Sequence, residues 1–160
     1  MRLNQDQVVA MGFHATTSPV TEYCGTSSLT TAKMLTVKNM SFKTGQQLTI
    51  TGKPTSATGF AINIGHSEDT VALHFNPRFC EQTIVCNSKK SGVWQSEQRE
   101  RSFPFHVNEE FKVTIQFSGQ NFNIRLPNGN IIQFPNRSGD SKFKYIYVTG
   151  DVRILGIKIK

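Results

Sequence analysis

The 160-residue sequence predicts an all-β protein built as an antiparallel sandwich. Short segments rich in β-branched and aromatic residues recur from Lys33 onward, at intervals of roughly 8–12 residues, with glycine or proline between them. Several of these segments alternate between apolar and polar residues, which is the period of a half-buried strand. No segment has the apolar spacing of an amphipathic helix. The helix-compatible stretch QSEQRERS is too short and too uniformly polar to bury a face.

The predicted strands follow one another along the chain. The most regular is FKVTIQF, in which Phe111, Val113, Ile115 and Phe117 alternate with polar residues. NFNIRLPNGNIIQF predicts a hairpin, because two alternating runs are joined by a Pro-Asn-Gly turn. The other predicted strands lie in LTV (35–37), QQLTITG (46–52), GFAINIG (59–65), VALHFNPRF (71–79), TIVCN (83–87) and KYIYVTGDVRILGIKIK (144–160).

The chain divides into an N-terminal extension, residues 1–30, and one domain, residues 31–160. The extension includes the Thr- and Ser-rich run TTSPVTEYCGTSSLTT, which begins at Thr16 and shows no lasting periodicity. We therefore expect the extension to be largely irregular, with at most a short strand within Val8–Phe13. The remaining length is sufficient for one domain with its own core.

Composition restricts the partners and the compartment. A formal net charge of +7 permits an anionic partner, but the basic residues are scattered along the sequence, which favours a solvated basic surface over nucleic-acid binding. The three cysteines, an odd number, argue against a disulfide framework and for a reducing compartment. The N-terminal segment does not resemble a signal peptide, and no apolar run is long enough to span a membrane. These features predict a cytoplasmic protein.

A polar row is predicted on one face of the segment VALHFNPRF. Its apolar residues have odd numbers and face the core, so His74, Asn76 and Arg78 point to the opposite face, about 7 Å apart. Pro77 cannot donate a hydrogen bond to a neighbouring strand, so this strand should bulge or end nearby. If TIVCN returns as the second strand of a hairpin, Asn87 extends the polar row onto the next strand.

The segment that follows adds an aromatic and a charged group. Glu97 and Arg99 are two residues apart and share a face of a strand. Trp94 and Glu97 are three apart, so they can share that face only if the strand bulges or breaks between them. The predicted site residues are His74, Asn76, Arg78, Asn87, Trp94, Glu97 and Arg99.

This combination of side chains suits a sugar. A sugar ring has a face of C–H groups, which an indole can cover, and hydroxyl groups that both donate and accept hydrogen bonds. Catalysis is disfavoured, because a glycosidase needs two carboxylates and only Glu97 is clearly placed on this face. Its two neighbouring arginines would lower its pKa, which is unsuitable for a general acid. His74 and Cys80 alone are too few to hold zinc, so we predict no metal and no cofactor.

The motifs HFNPRF, IVCNSK, W..EQRE and FPF occur in this order, and together they resemble the galectin family over about Ala32–Lys160. The resemblance implies a two-sheet antiparallel jelly-roll sandwich of the concanavalin-like type. It also implies a metal-independent lectin for β-galactosides, such as lactose and N-acetyllactosamine-type glycans. It assigns His74, Asn76 and Arg78 to galactose O4, Asn87 and Glu97 to O6, Trp94 to stacking, and Arg78, Glu97 and Arg99 to the neighbouring sugar.

The resemblance further implies glycoprotein and glycolipid partners, a possible homodimer that cross-links glycans, and leaderless export to the cell exterior. The loop between HFNPRF and TIVCN consists only of Cys80, Glu81 and Gln82, which is shorter than in many family members. Because that loop borders the second sugar, the preference among longer glycans is left open. An alternative function is a protein-interaction or nucleic-acid-binding module that keeps the fold but binds sugar weakly or not at all.

Overall fold

The computed structural model describes residues 8–11 and 32–160, and within this part of the chain every regular element is a β-strand. The alternation seen in the sequence matches the strands at residues 47–54, 111–117 and 121–125, in which buried and more exposed residues alternate, whereas the strand at residues 60–65 is buried along both sides. The strands are β1 (Val8–Met11), β2 (Lys33–Lys43), β3 (Gln47–Pro54), β4 (Phe60–Gly65), β5 (Val71–Arg78), β6 (Thr83–Lys90), β7 (Val93–Trp94), β8 (Gln98–Glu100), β9 (Phe111–Phe117), β10 (Asn121–Arg125), β11 (Ile131–Pro135), β12 (Lys142–Gly150) and β13 (Val152–Ile159).

The strands form two antiparallel sheets, which confirms the predicted two-sheet sandwich. One sheet has eight strands in the order β1-β2-β12-β4-β5-β6-β7, with β8 paired to β6 as well. The other has five strands in the order β11-β10-β9-β3-β13. Neighbouring strands β12 and β2 lie far apart in the sequence, so the sheets depend on long-range pairing that local sequence patterns cannot specify.

The core lies between the two sheets and contains many phenylalanine rings packed among isoleucine, leucine and valine side chains. Phe117 of the five-stranded sheet stacks on Phe122 of the same sheet, with ring centroids 4.8 Å apart. It also contacts Phe143 of the eight-stranded sheet at a centroid distance of 5.4 Å, so it packs across the interface between sheets. All three rings are fully buried. The odd-numbered residues of VALHFNPRF that were predicted to face the core include Leu73 and Phe75, and both are buried.

Three local features predicted from the sequence occur in the structure. The strand that contains Pro77 ends one residue later, at Arg78, as expected for a residue that cannot donate to a ladder. The predicted hairpin turn has Gly129 at φ 88°, a left-handed conformation that glycine adopts without a steric penalty. The extension contributes β1, which pairs with β2 and lies within the range in which a short strand was expected. The other residues of the extension lie outside the described residues.

The two cysteines in the described part of the chain, Cys80 and Cys86, are in different states. Cys86 is free and fully buried, and burial raises the pKa of its thiol to about 12. Cys80 is disulfide-bonded, contrary to the expectation that an odd number of cysteines argues against disulfides. The number of cysteines does not show which of them lie close together in the fold, so the sequence could not distinguish these two residues.

Candidate functional site

The polar residues predicted on VALHFNPRF lie on the outer face of the eight-stranded sheet, near one edge. Strand pairing places Asn63 of β4, His74 of β5 and Asn87 of β6 side by side as Cα partners. This register confirms the hairpin on which the prediction for Asn87 depended. Because paired residues on antiparallel strands point to the same face, the three side chains form a continuous row across three strands.

His74 is held in one tautomer by its neighbour in this row. Its Nδ1 lies 2.6 Å from Oδ1 of Asn63, and the Asn63 amide is oriented by donating from Nδ2 to the Tyr147 carbonyl at 3.3 Å. Nδ1 therefore carries the proton and donates it, which leaves Nε2 as an acceptor. Burial, and then the charges of Arg78 and Lys89, lower the pKa of His74 to about 3, so the ring is neutral near pH 7.

Asn76 lies two residues further along β5 and is buried, although its position is on the outer face. Its Nδ2 donates to the Phe60 carbonyl at 2.8 Å, and its Oδ1 accepts from Nε of Arg78 at 2.8 Å. A buried amide with both ends engaged has one orientation. Asn76 therefore fixes the Arg78 guanidinium from one side.

Two carboxylates and two guanidiniums form a charged cluster next to this row. Arg78 donates to Oε1 of Glu81 at 3.2 Å and lies 3.5 Å from Oε1 of Glu97. Arg99 donates from Nε to Oε2 of Glu97 at 2.9 Å, its Nη2 lies 2.9 Å from the same oxygen, and its Nη1 donates to Glu81. The hydrogen bond from Arg99 lowers the pKa of Glu81, so that carboxyl is ionised. The cluster carries no net charge, which suits a neutral polar ligand.

The indole of Trp94 lies at the end of the polar row. The chain leaves the strand conformation between β7 and β8, at residues 95–97, and this is the break that the sequence required. The Trp94 ring contacts the His74 ring at a centroid distance of 4.6 Å. Glu97 lies 3.5 Å from Arg78, which belongs to the same strand as His74, β5. Trp94 and Glu97 therefore share one face. The indole is 47% exposed, so it is not a core residue.

Asn87 is anchored by groups that sequence reasoning missed. Its Nδ2 donates to the Gln95 carbonyl at 3.0 Å, and its Oδ1 accepts from the Ser88 amide at 2.8 Å and from Nη1 of Arg137 at 3.3 Å. Arg137 also donates to Ser88 Oγ at 3.0 Å and to the Ser96 carbonyl at 2.8 Å. Arg137 thus connects Asn87 to the segment between Trp94 and Glu97.

The structure brings together all seven predicted residues and adds Asn63, Glu81 and Arg137 as groups that position them. Asn63 lies in the largely apolar segment GFAINIG, and its polarity is the only feature that distinguishes it there. Glu81 could not be placed because it lies in a turn, where side-chain direction does not follow from parity. Arg137 lies on the loop between β11 and β12, and only the tertiary fold brings it to β6. None of these three could be identified by spacing alone.

Among residues 8–11 and 32–160, no group of three or more histidine, cysteine or acidic side chains is arranged to hold a metal ion. Within the same ranges, no helix is long and apolar enough to span a membrane. What the site offers is an exposed aromatic ring, a neutral imidazole acceptor, anchored amides and ion-paired charges.

Comparison with known proteins agrees with this geometry. The profile of the galactoside-binding lectin family matches residues 33–159. Galectin-2 from Homo sapiens is 45% identical over 127 residues, which cover 79% of this chain and 96% of that protein. A crystal structure of chicken galectin 2 superposes with a TM-score of 0.79 at 39% identity, covering 81% of this chain and 100% of the other. A structure described as lactose- and MES-liganded congerin II has a TM-score of 0.75 at 40% identity, covering 78% and 98%.

The fold and the site together define a lectin of the β-sandwich type. The chain belongs to the galactoside-binding lectin family, the galectins.

Proposed function

We propose that this protein binds β-galactosides without a metal ion, in the shallow groove between Trp94 and the row of His74 and Asn87. The observation that carries the proposal is the position of a half-exposed indole beside polar groups that are already fixed by hydrogen bonds. Groups that are held in place before binding lose little conformational entropy when a ligand arrives. The groove can therefore recognise the orientation of individual hydroxyls.

The axial O4 of galactose is the hydroxyl that this row suits best. His74 has a neutral imidazole whose Nε2 accepts a hydrogen bond, and no described residue occupies that atom. Arg78, held by Asn76, Glu81 and Glu97, can donate to the same oxygen through its terminal nitrogens. An acceptor and a donor that converge on one hydroxyl satisfy both of its hydrogen-bonding roles. We assign O4 to His74, Asn76 and Arg78.

The remaining side chains suit the rest of a disaccharide. We assign the C–H face of galactose to Trp94, and O6 to Asn87 and Glu97. Asn87 Nδ2 has a second N–H beyond the one given to Gln95, and a carboxylate such as Glu97 can accept more bonds than its arginines use. Arg78, Glu97 and Arg99 then face the neighbouring sugar, because the charged cluster continues away from the indole.

Hydrolysis of the bound sugar is not part of this proposal. Both carboxylates in the site are paired with guanidiniums, and the pKa of Glu81 is lowered by its hydrogen bond with Arg99. A general acid for glycoside cleavage needs the opposite shift, since it must be protonated near neutral pH. The arrangement suits binding without chemistry.

Affinity for a single disaccharide should be modest. A disaccharide has about 23 non-hydrogen atoms, and at roughly 0.3 kcal/mol for each atom the upper limit is about −7 kcal/mol, or a Kd of about 10 µM. Desolvation of hydroxyl groups weakens this further. Tight attachment to a glycan-bearing surface would need more than one site, which a homodimer provides. Sedimentation of the full chain distinguishes a monomer from a dimer.

The proposal is tested by calorimetry with lactose and, as a matched control, cellobiose. The two sugars differ only in the configuration at C4 of the non-reducing ring. We expect heat of binding from lactose and none from cellobiose at about 10 mM sugar, because an equatorial O4 points away from His74 and Arg78. Equal binding of both sugars, or no binding of either, would contradict the proposal.

The alternative of a nucleic-acid-binding module predicts a different salt dependence. Nucleic-acid binding falls steeply with salt because counterions are released, whereas binding of a neutral sugar changes little. Titrations with lactose and with a DNA oligonucleotide, each at low and at high salt, therefore separate the two functions.

A further inference from the structure

Five basic residues lie on the sheet that faces away from the sugar groove, and the strands of that sheet carry no acidic residue to accompany them. The five basic residues are all at strand positions on the side away from the core: Lys53, Lys112, Arg125, Arg153 and Lys158. We call the outer surface of this sheet the basic face.

Strand register brings the charges of the basic face close together. Lys53 of β3 and Arg153 of β13 are direct Cα partners. Lys112 of β9 is paired with Thr51, two residues from Lys53 on the same side, so it is a diagonal neighbour of Lys53. Like charges that face each other directly destabilise a sheet. An ordinary surface would place a carboxylate between them.

Four of the five cations on this face, all except Lys158, form no ion pair with a described residue, while cations beside the sugar groove are paired with glutamates. The acidic residues that directly flank these strands are Glu109 and Glu110, before β9, and Asp151, before β13; Asp151 is buried and accepts hydrogen bonds from Ser56 and Thr58. The positive field of the basic face is therefore directed to solvent.

Between the charges the basic face presents small polar side chains. A second row runs Lys158, Thr49, Thr114 and Arg125 across four strands, and the two threonine hydroxyls lie 3.4 Å apart. The other outward positions of these strands hold threonine, asparagine and glutamine together with Pro135 and the exposed aliphatic residues Ile131 and Leu155, and they hold no aromatic ring. Single-stranded nucleic acid is usually held by stacking on aromatic rings, so this surface lacks a feature which that ligand needs.

We propose that the basic face binds a sulfated polysaccharide, independently of the sugar groove on the other sheet. A flat surface with rows of cations separated by hydroxyl and amide donors is complementary to a linear chain of sulfates and hydroxyls. Because the two ligand surfaces lie on different sheets, one molecule can hold a galactoside and a polyanion together. The inference does not depend on the galactoside assignment and can be tested apart from it.

Heparin binding by the full chain provides the test, measured by calorimetry or fluorescence at several salt concentrations with and without saturating lactose. We expect wild-type binding that weakens with salt and is unchanged by lactose. The variant Lys53→Glu with Arg153→Glu should bind heparin about tenfold more weakly at about 0.15 M salt, with a salt slope lower by about 2. Lactose binding should remain unchanged in this variant, which also shows that it folds.

The matched control is Lys43→Glu with Lys142→Glu. These residues are also exposed, directly paired lysines, but they lie on the eight-stranded sheet, and their reversal changes the net charge by the same amount. We expect this variant to keep most of its heparin affinity. Equal losses in both variants, displacement of heparin by lactose, or no heparin binding would overturn the proposal. Tighter binding to a single- or double-stranded DNA oligonucleotide than to heparin would also overturn it, in favour of nucleic acid.

Discussion

The indole ring of Trp94 contacts the imidazole ring of His74, with centroids 4.6 Å apart and ring planes inclined at 55°. The two residues belong to different strands, β7 and β5, with β6 between them. Lys89 of β6 lies over the indole, with Nζ 5.1 Å from the ring centroid. The contact between Trp94 and His74 joins the exposed aromatic ring to the row of hydrogen-bonding side chains. In the proposed binding mode, both face the same sugar ring.

Replacing Trp94 should remove lactose binding without disturbing the fold. The indole is 47% exposed and lies outside the main core, so Trp94→Ala should change the free energy of unfolding by less than about 1 kcal/mol. Loss of the stacking surface should reduce lactose affinity at least about tenfold. Calorimetry measures the affinity, and urea unfolding measures the stability. A variant that unfolds, or one that still binds lactose normally, would contradict the assignment of Trp94.

Arg137 should act as a positioning residue. Removing its guanidinium in Arg137→Ala releases Asn87 and the Ser96 carbonyl, so the segment that holds Trp94 and Glu97 loses an anchor. We expect lactose affinity to fall about tenfold, corresponding to one charged hydrogen bond of about 1.4 kcal/mol. Arg125→Ala removes an exposed arginine of the other sheet and should leave lactose binding unchanged. If both variants bind lactose like the wild type, Arg137 has no positioning role.

Glu81 should contribute less than Glu97, although both carboxylates pair with the same two arginines. Glu81→Gln keeps the shape but removes the charge that holds Arg78 and Arg99, and exposed ion pairs contribute at most about 1 kcal/mol. We therefore expect a loss of lactose affinity of up to about fivefold in Glu81→Gln and a larger loss in Glu97→Gln. Glu100→Gln serves as the control, because Glu100 forms no ion pair with described residues. A larger effect at Glu81 than at Glu97 would reverse the assignment of direct contact.

Lactose affinity should be nearly constant from about pH 8 to about pH 5. His74 has a pKa of about 3 in the folded protein, against an ordinary value of 6.5, so it stays neutral over this range. Nitrogen NMR of the His74 ring should show a proton on Nδ1 and none on Nε2 throughout. Titration of this ring near its ordinary pKa, with a parallel loss of lactose binding, would show that the groove is more solvated than we infer.

The lowered pKa of His74 also makes the stability of the fold depend on pH. Because the unfolded chain binds a proton on His74 at a higher pH than the folded protein does, protonation favours unfolding. The contribution of His74 is therefore fully stabilising above pH 6.5 and is lost progressively as the pH falls towards 3. Urea unfolding of the wild type and His74→Gln should show a smaller acid destabilisation in the variant. An identical pH dependence in both proteins would mean that another group is responsible.

A core variant separates stability from binding. Phe117 is fully buried and contacts rings of both sheets, so Phe117→Ala should lower the free energy of unfolding by about 3–5 kcal/mol. Ile131→Ala, at a residue that is 55% exposed, should change it by less than about 0.5 kcal/mol. Urea titration measures both. A small effect at Phe117 would mean that the two sheets are joined mainly by other contacts.

The sequence alone determined the strands and the residues that could share a face. Alternation predicted the face of His74, and a spacing of three residues required the break between Trp94 and Glu97 that lies at residues 95–97. Parity within a strand follows from local geometry, and for this reason it is visible in the sequence. The same grounds, together with the order of the motifs along the chain, predicted the candidate site residues.

Only the tertiary structure decided which groups hold the site residues in place. Asn63 fixes the His74 tautomer across a strand pair, and Arg137 reaches Asn87 from a loop 50 positions away in the sequence. The pairing of Lys53 with Arg153 likewise depends on the register between β3 and β13. Such contacts form between segments far apart in the chain, and their geometry is set by long-range sheet pairing and core packing, which no local pattern of residues encodes.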